Sequence, residues 1–252
     1  MAQYLVFDTS SGVSGDMAAG ALLALCDHTG FLADAMEPFH SLGYDYQIHT
    51  VQKAGRSCIS TVISGSPAPE AHHHSWNEIM DQIELAHLTP SARDLAVRIY
   101  QRIAAAESAV HGVPADRLHF HEVGSMRAVL NVIAFAAAYD HLGIRNTIVP
   151  SFYEGTGTVL CSHGVMEVPV PAVCQLLEQT NIPLTILKPI NGEILTPTGC
   201  ACLSEICTGT DLPNGMTIRS GYGAGKRDTG LSGILEVKCI ETDGAEDRNG
   251  SE

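Results

Sequence analysis

Basic residues are scarce in this 252-residue chain: 14 lysines and arginines stand against 28 aspartates and glutamates, a formal net charge of −14. A surface that neutralises nucleic-acid phosphates needs the opposite balance, so nucleic acid is excluded as a partner. Long apolar runs are missing too. The apolar residues, 45% of the chain, are spread along it, and no stretch approaches the roughly 20 residues of a membrane span, so no membrane partner is expected. The opening Met1-Ala2-Gln3-Tyr4-Leu5-Val6-Phe7-Asp8 lacks the basic segment and cleavage site of a secretory leader, and a cytoplasmic setting is expected. The eight cysteines lack the regular close spacing of a disulfide framework, which suits reduced thiols. Cys26, Cys58, Cys174 and Cys239 stand among apolar neighbours and are expected in the core. Cys200, Cys202 and Cys207 match no zinc ribbon or finger and read as small buried helix residues.

The pattern that is present alternates strand and helix. Tyr4 to Asp8 reads as a buried strand, Met17 to Cys26 as a helix, Phe31 to Leu42 as a second, and Tyr44 to Ser64 as a hairpin turning near Ala54-Gly55. Ser75 and Glu78 form a capping box for a helix through Leu85, and Thr89-Pro90 starts a long amphipathic helix to about His111. Ser125 to Leu142 is a mostly apolar helix ended by Gly143. Strands are expected at Asn146 to Pro150, Thr158 to Cys161 and Leu184 to Leu187, with a turn over Tyr153 to Gly157 and helices at Ala172 to Gln179 and from Thr196. Met216 to Ile240 reads as two strands around the glycine-dense loop Gly221 to Asp228. The fold class expected is α/β, a mixed sheet with alternating helices and an antiparallel hairpin. Residues 1–64 form the glycine-loop part with the hairpin, 65–75 a histidine-bearing linker, 76–240 the remainder, and 241–252 an acidic disordered tail.

The densest chemistry lies in His119-Phe120-His121-Glu122-Val123-Gly124. Were Leu118 to Glu122 extended, the period of two would put both imidazoles on one face, a pair suited to nickel, zinc or copper, or to proton shuttling. Two histidines hydrogen-bonded at a strand end satisfy the same pattern. His72, His73 and His74 either collect transition metals loosely or are solvated surface. In Thr9-Ser10-Ser11-Gly12-Val13-Ser14-Gly15-Asp16, a glycine-rich turn precedes a helix, and free N–H groups there favour a phosphate or carboxylate. It lacks the Walker lysine and the three-glycine dinucleotide fingerprint. Asp8 and Asp16 flank it and either hold a divalent cation against a phosphate or merely end a strand and cap a helix. Arg127 and Asn131, four apart, share a helical face just after the histidines and either line a site or face solvent. Lys226 and Arg227 beside their glycines either cradle an anion or sit in a wide turn.

Taken in order from Tyr4 to about Val237, these motifs resemble the nickel-insertion (LarC) family of nickel-pincer cofactor biosynthesis. The resemblance rests on Phe7-Asp8 with Ser11 to Met17, the histidine run, His111-Gly112-Val113-Pro114, His119 to Gly124, Cys161-Ser162-His163-Gly164, Val168-Pro169-Val170-Pro171-Ala172, Thr196-Pro197-Thr198-Gly199 and Gly221 to Gly225. It implies insertion of Ni2+ into a pyridinium mononucleotide bearing two thiocarboxylates, with Mg2+ or Mn2+ and CTP hydrolysis.

On that resemblance His72, His73, His74, His119, His121 and His163, with Asp8 and Asp16, are metal ligands, and His121 or Glu122 is the base that takes the ring proton. Ser11, Gly12, Ser14, Gly15, Asp16, Arg127, Thr198 and Lys226 are implied to bind phosphate and substrate. The chain departs from the family at Arg127 and Asn131, where aspartates are usual, and ends before the C-terminal nucleotide-binding part of longer members. Either a separate subunit supplies that part or the chain is a divergent homologue with another ligand, and homo-oligomerisation is expected. A noncatalytic nickel carrier and a Mg-dependent phosphate-ester enzyme built on Asp8, Asp16 and the glycine turn stand as alternatives.

Overall fold

Leu5, Val6 and Phe7 are almost wholly shielded from solvent, and the strand they form takes neighbours on both edges. The computed structural model describes residues 1–65 and 74–242. In chain order the elements are β1 (Ala2–Asp8), α1 (Gly15–Leu23), α2 (Gly30–His40), β2 (Asp45–Lys53), β3 (Arg56–Ser64), β4 (His74–Ser75), α3 (Trp76–Leu85), α4 (Pro90–His111), β5 (His119–Phe120) and α5 (Met126–Leu142). They continue with β6 (Asn146–Ile148), β7 (Phe152–Thr156), β8 (Thr158–Cys161), β9 (Gly164–Glu167), α6 (Pro171–Glu178), β10 (Leu184–Asn191), α7 (Pro197–Ile206), β11 (Met216–Ala224) and β12 (Ile234–Thr242). The fold is α/β, with a mixed sheet in the order β2-β3-β11-β12-β1-β6. β1 runs antiparallel to β12 and parallel to β6, and the β2–β3 hairpin joins through one parallel bridge, Gly223 with Ile59.

Local chemistry sets many of the boundaries. Ser75 and Glu78 close the capping box of α3, Thr89 accepts the Ala92 N–H at the start of α4, and Ser125 accepts the Ala128 N–H at the start of α5. Each such cap contributes about 1 kcal/mol. Gly112 and Gly143 end α4 and α5 with φ of 67° and 68°, a left-handed conformation that costs other residues more. α5 is apolar on nearly every side because α1, α2 and α4 all pack against it.

Close packing, not a loop, accounts for the glycines of β11. Gly221 and Gly223 lie within the strand, and a Cβ on either would strike a backbone carbonyl of α1, that of Ala21 or of Met17. The expected glycine loop is therefore shorter, the connection from Gly225 to Gly233. Tyr153 to Gly157, expected as a turn, is mostly β7, paired in parallel with β10; Gly155 serves the pairing, since a Cβ there would meet the Gly192 carbonyl. Only His119 and Phe120 of the stretch Leu118 to Glu122 are strand. Cys174 is exposed where a core position was expected, being on the outer face of α6, while Cys200 and Cys202 are fully buried. Glu241 and Thr242, expected in the tail, complete β12; His72, His73 and the rest of the tail lie outside the described residues.

The α1–β11 contact yields a prediction. Gly223→Ala should destabilise the chain by about 1–3 kcal/mol in urea denaturation, because α1 must lift from the sheet. Gly30→Ala, whose Cβ meets nothing nearer than 3.8 Å at the start of α2, should leave stability unchanged or raise it. Equal midpoints for the two variants would rule the packing account out.

Candidate functional site

Two clefts adjoin on one side of the molecule. The first is walled by the last turn of α4, the turn after β5, the β8–β9 hairpin and the start of α6, and it collects Glu107, His111, His119, His121, Glu122 and His163. The second lies between the glycine turn and the β11–β12 connection, and it presents Ser11, Ser14, Asp16, Thr196, Lys226 and Thr229. Glu193 and Arg227 line both. The second has room for about 240 Å³ of solvent against about 100 Å³ in the first, and both open to the surface.

In the first cleft the chain bends instead of continuing as a strand. His121 has φ −84° and ψ −102°, and Glu122–Gly124 is a 3₁₀ turn. The bend needs Gly124, where a Cβ would come within 2.5 Å of Phe120 Cβ. The buried Tyr100 hydroxyl anchors it by donating to the Val123 carbonyl at 3.0 Å. The period-two argument therefore fails in its reason: Phe120 turns into the core, while His119, His121 and Glu122 all reach the cleft. Glu122 Oε1 accepts the Ser162 N–H at 3.2 Å, which ties down the hairpin tip carrying His163. The His163 ring then stacks on His121, with centroids 4.5 Å apart and planes within 6°, and lies 5.2 Å from His111. Glu107, one turn before His111 on α4, holds the His111 Nε2 at 3.3 Å.

Electrostatics in this cleft are set by burial. Burial pushes the Glu107 carboxyl above the usual range, and His111 and His163 offset part of that effect. Glu193 is raised in the same way, with Arg227 opposing the shift. Among the described residues no three His, Cys, Asp or Glu side chains surround one point as ion ligands do. Stacking explains part of this. Imidazole lone pairs lie in the ring plane, so two parallel rings cannot aim at one ion until one rotates.

In the second cleft Ser11 and Ser14 reach the lining, whereas Gly12 and Gly15 do not. The glycines shape the turn: Gly12 has φ +87° and stands against the Ile194 carbonyl, and a Cβ on Gly15 would come within 2.8 Å of Thr198 Cγ2. Thr198 is thus buried against α1 and outside both linings. Asp16 accepts from the Ser14 hydroxyl and the Met17 N–H and pairs with Lys226 at 3.5 Å. Asp8 is exposed, accepts the Ser10 N–H, and lines neither cleft. Of the two aspartates, only Asp16 faces the second cleft. Arg127 is exposed on α5, outside both linings and with no ion pair to a described residue; Asn131 is buried and accepts from Tyr46 at 3.2 Å and Thr61 at 3.1 Å. Neither side chain lines the histidine cleft. His74 pairs with Phe120 across β4 and β5, beside the turn.

Glu107, His111 and Glu193 line the first cleft, and sequence reasoning assigned none of them to the site. The Glu-x₃-His spacing at a helix end was a signal for the first two; Glu193 offered none. Glu193 is held in place by Glu154, fully buried on β7, whose Oε1 accepts the N–H groups of Ile194 at 2.8 Å and Leu195 at 3.3 Å. Burial raises the Glu154 carboxyl, so the folded chain keeps its proton to higher pH than the unfolded chain does. Its contribution to stability is complete below the ordinary carboxylate range and is lost as pH rises through the raised value. Glu154→Gln keeps the accepting oxygen and should show a shallower fall in urea midpoint between about pH 4 and about pH 8. Parallel curves for variant and wild type would contradict this.

A profile of the family described as nickel insertion protein matches residues 5–251. The pyridinium-3,5-bisthiocarboxylic acid mononucleotide nickel insertion protein of Alkaliphilus metalliredigens is 32% identical over 96% of this chain and 61% of its own length. The protein of the same name from Acetivibrio thermocellus is 33% identical over 94% of this chain and 59% of its own. The chain spans about three-fifths of the length of the curated relatives it matches. No solved structure matches. With a family match over nearly its whole length, the chain belongs to the nickel insertion protein family.

Proposed function

We propose that this chain performs nickel insertion into a pyridinium-3,5-bisthiocarboxylic acid mononucleotide, as the metal- and substrate-holding part of a longer system. The observation that carries this reading is the meeting of an imidazole cleft and a hydroxyl- and lysine-lined cleft at Glu193 and Arg227. A mononucleotide has its phosphate at one end and its ring at the other, which matches that division. The phosphate lies against Ser11, Ser14 and Lys226, and the ring faces the histidines.

Nickel is cargo here, carried by His121 and His163 with His119 and His74 on its approach. Imidazole nitrogen holds nickel well enough to carry it, yet releases it to soft sulfur more readily than thiolates would. Rotation of His163 out of its stack brings both nitrogens to one ion. Once the two sulfurs have taken the metal, the ring C–H bond breaks, its electron pair forms the nickel–carbon bond, and the proton passes to a base. Glu122 takes that proton while His121 holds metal, and His121 takes it once the metal has left; nickel stays divalent throughout. Mg2+ or Mn2+ with CTP belongs in this reading to a C-terminal part or separate subunit, because Asp8 lines neither cleft and Asp16 is already paired with Lys226. The free thiols suit a reducing compartment, and the cytoplasm is the setting we propose. Among the described residues no helix is long and apolar enough to cross a membrane.

A noncatalytic nickel carrier would use the histidine cleft, where the His121 and His163 rings stack with centroids 4.5 Å apart, and leave the other idle. Calorimetric nickel titration should show binding about tenfold weaker or more in His121→Ala and His163→Ala. Undiminished affinity in both would refute the metal role. Product mass in a mixture of the chain, substrate, nickel, CTP and the C-terminal partner separates the two readings: wild type that binds nickel and yields no metallated product is a carrier.

A further inference from the structure

Arg227 is common to both clefts and is used only once. Its Nη1 donates to Glu193 Oε2 at 2.6 Å, and no other described residue accepts from its guanidinium. The Arg227 side chain is 62% exposed while that of Glu193 is 8% exposed, so the cation lies over a sunken carboxylate with most of its fork turned outward. A guanidinium carries five N–H donors in a plane matched to carboxylate oxygens.

We propose that Arg227 selects the carboxylated ring of the ligand: resting on Glu193 in the free chain, it donates to a ring carboxylate or thiocarboxylate oxygen when a mononucleotide lies across both clefts. The inference rests on the mononucleotide reading above. A ligand with its phosphate at Ser11, Ser14 and Lys226 and its ring among the imidazoles must pass the Glu193–Arg227 pair. The ribose spans the pair itself, and the long, exposed Arg227 side chain, which also lines the first cleft, reaches beyond it to the acidic ring substituents, which Glu193 repels and Arg227 attracts. Lys226 is not an equal candidate, because it faces only the second cleft and is paired with Asp16. Chemistry supports the division of labour. When the sulfur of a thiocarboxylate takes nickel, its oxygen stays available, and a guanidinium binds that oxygen without competing for a soft metal.

Calorimetry with two probes tests this: pyridinium-3,5-dicarboxylic acid mononucleotide and its 3,5-dicarboxamide counterpart. Wild type should prefer the acid by about tenfold or more. Arg227→Gln should lose that preference while binding the amide as wild type does. Glu193→Gln, which frees the guanidinium, should keep or increase it. Arg227→Lys keeps the charge without the fork and should fall between, which decides the matter even where the Gln variant fails to fold. A folded Arg227→Gln that retains the preference or loses both probes equally, or an Arg227→Lys that matches wild type, overturns the inference and leaves the mononucleotide reading standing. Wild type that binds both probes alike also overturns it alone, whereas wild type that binds neither overturns both.

Discussion

Three backbone N–H groups converge on one oxygen of Glu154, those of Gly155 and Ile194 at 2.8 Å and of Leu195 at 3.3 Å, in a place sealed from solvent. Burying a carboxyl costs several kcal/mol unless donors replace the lost water, and two of these donors, those of Ile194 and Leu195, come from the segment that separates the two clefts. The far side of that segment pairs with the glycine turn: Val13 N–H donates to Ile194 at 2.9 Å and Thr196 N–H to Val13 at 3.0 Å. Glu193, and with it the ion pair that both clefts share, is placed by this double attachment. The turn bearing Ser11 and Ser14 and the start of α7 at Thr196 are held by the same contacts.

The two clefts differ in how firmly they are built. α1 is pressed onto β3 and β11 by glycines on both partners, with a Cβ on Gly20 coming within 2.7 Å of the Ile59 carbonyl. Ser14 and Asp16 at the start of that helix therefore sit on a rigid support. In the histidine cleft, His111 ends the long helix α4 and His121 is fixed through Tyr100 and Val123, whereas His163 sits at the tip of a two-stranded hairpin outside the main sheet. Leu160 and Val165, opposite each other on that hairpin, are 79% and 71% exposed, so little packing holds its outer face. Of the stacked imidazoles, His163 is therefore the less firmly held.

Much of the architecture was legible because short-range chemistry decides it. The caps at Ser75, Thr89 and Ser125, the left-handed glycines at 112 and 143, and the Ala54–Gly55 turn, with φ of 45° and 74°, each satisfy a local requirement that tertiary packing did not override. β7 was not legible. Its Glu, Gly and Thr residues read as a turn, and only a parallel partner in β10, met some 30 residues later, makes them a strand. Gly221 and Gly223 misled for the same reason: a missing side chain signals a close approach without saying whether turn or neighbour demands it.

Within the site, the sequence by itself determined the chemical inventory: imidazoles at 119, 121 and 163, hydroxyls at 11 and 14, a lysine at 226, and the ordered motifs that mark the family. Those are matters of residue type and order, which need no third dimension. Tertiary structure alone decided which of them meet. It gathered Glu107, His111 and Glu193 into the cleft, and it left Asp8, Arg127 and Thr198 outside both linings. The reason is that pairing across sheets and between helices joins residues far apart in the chain, through backbone contacts such as that of Val13 with Ile194, whose partners carry no signature in their side chains.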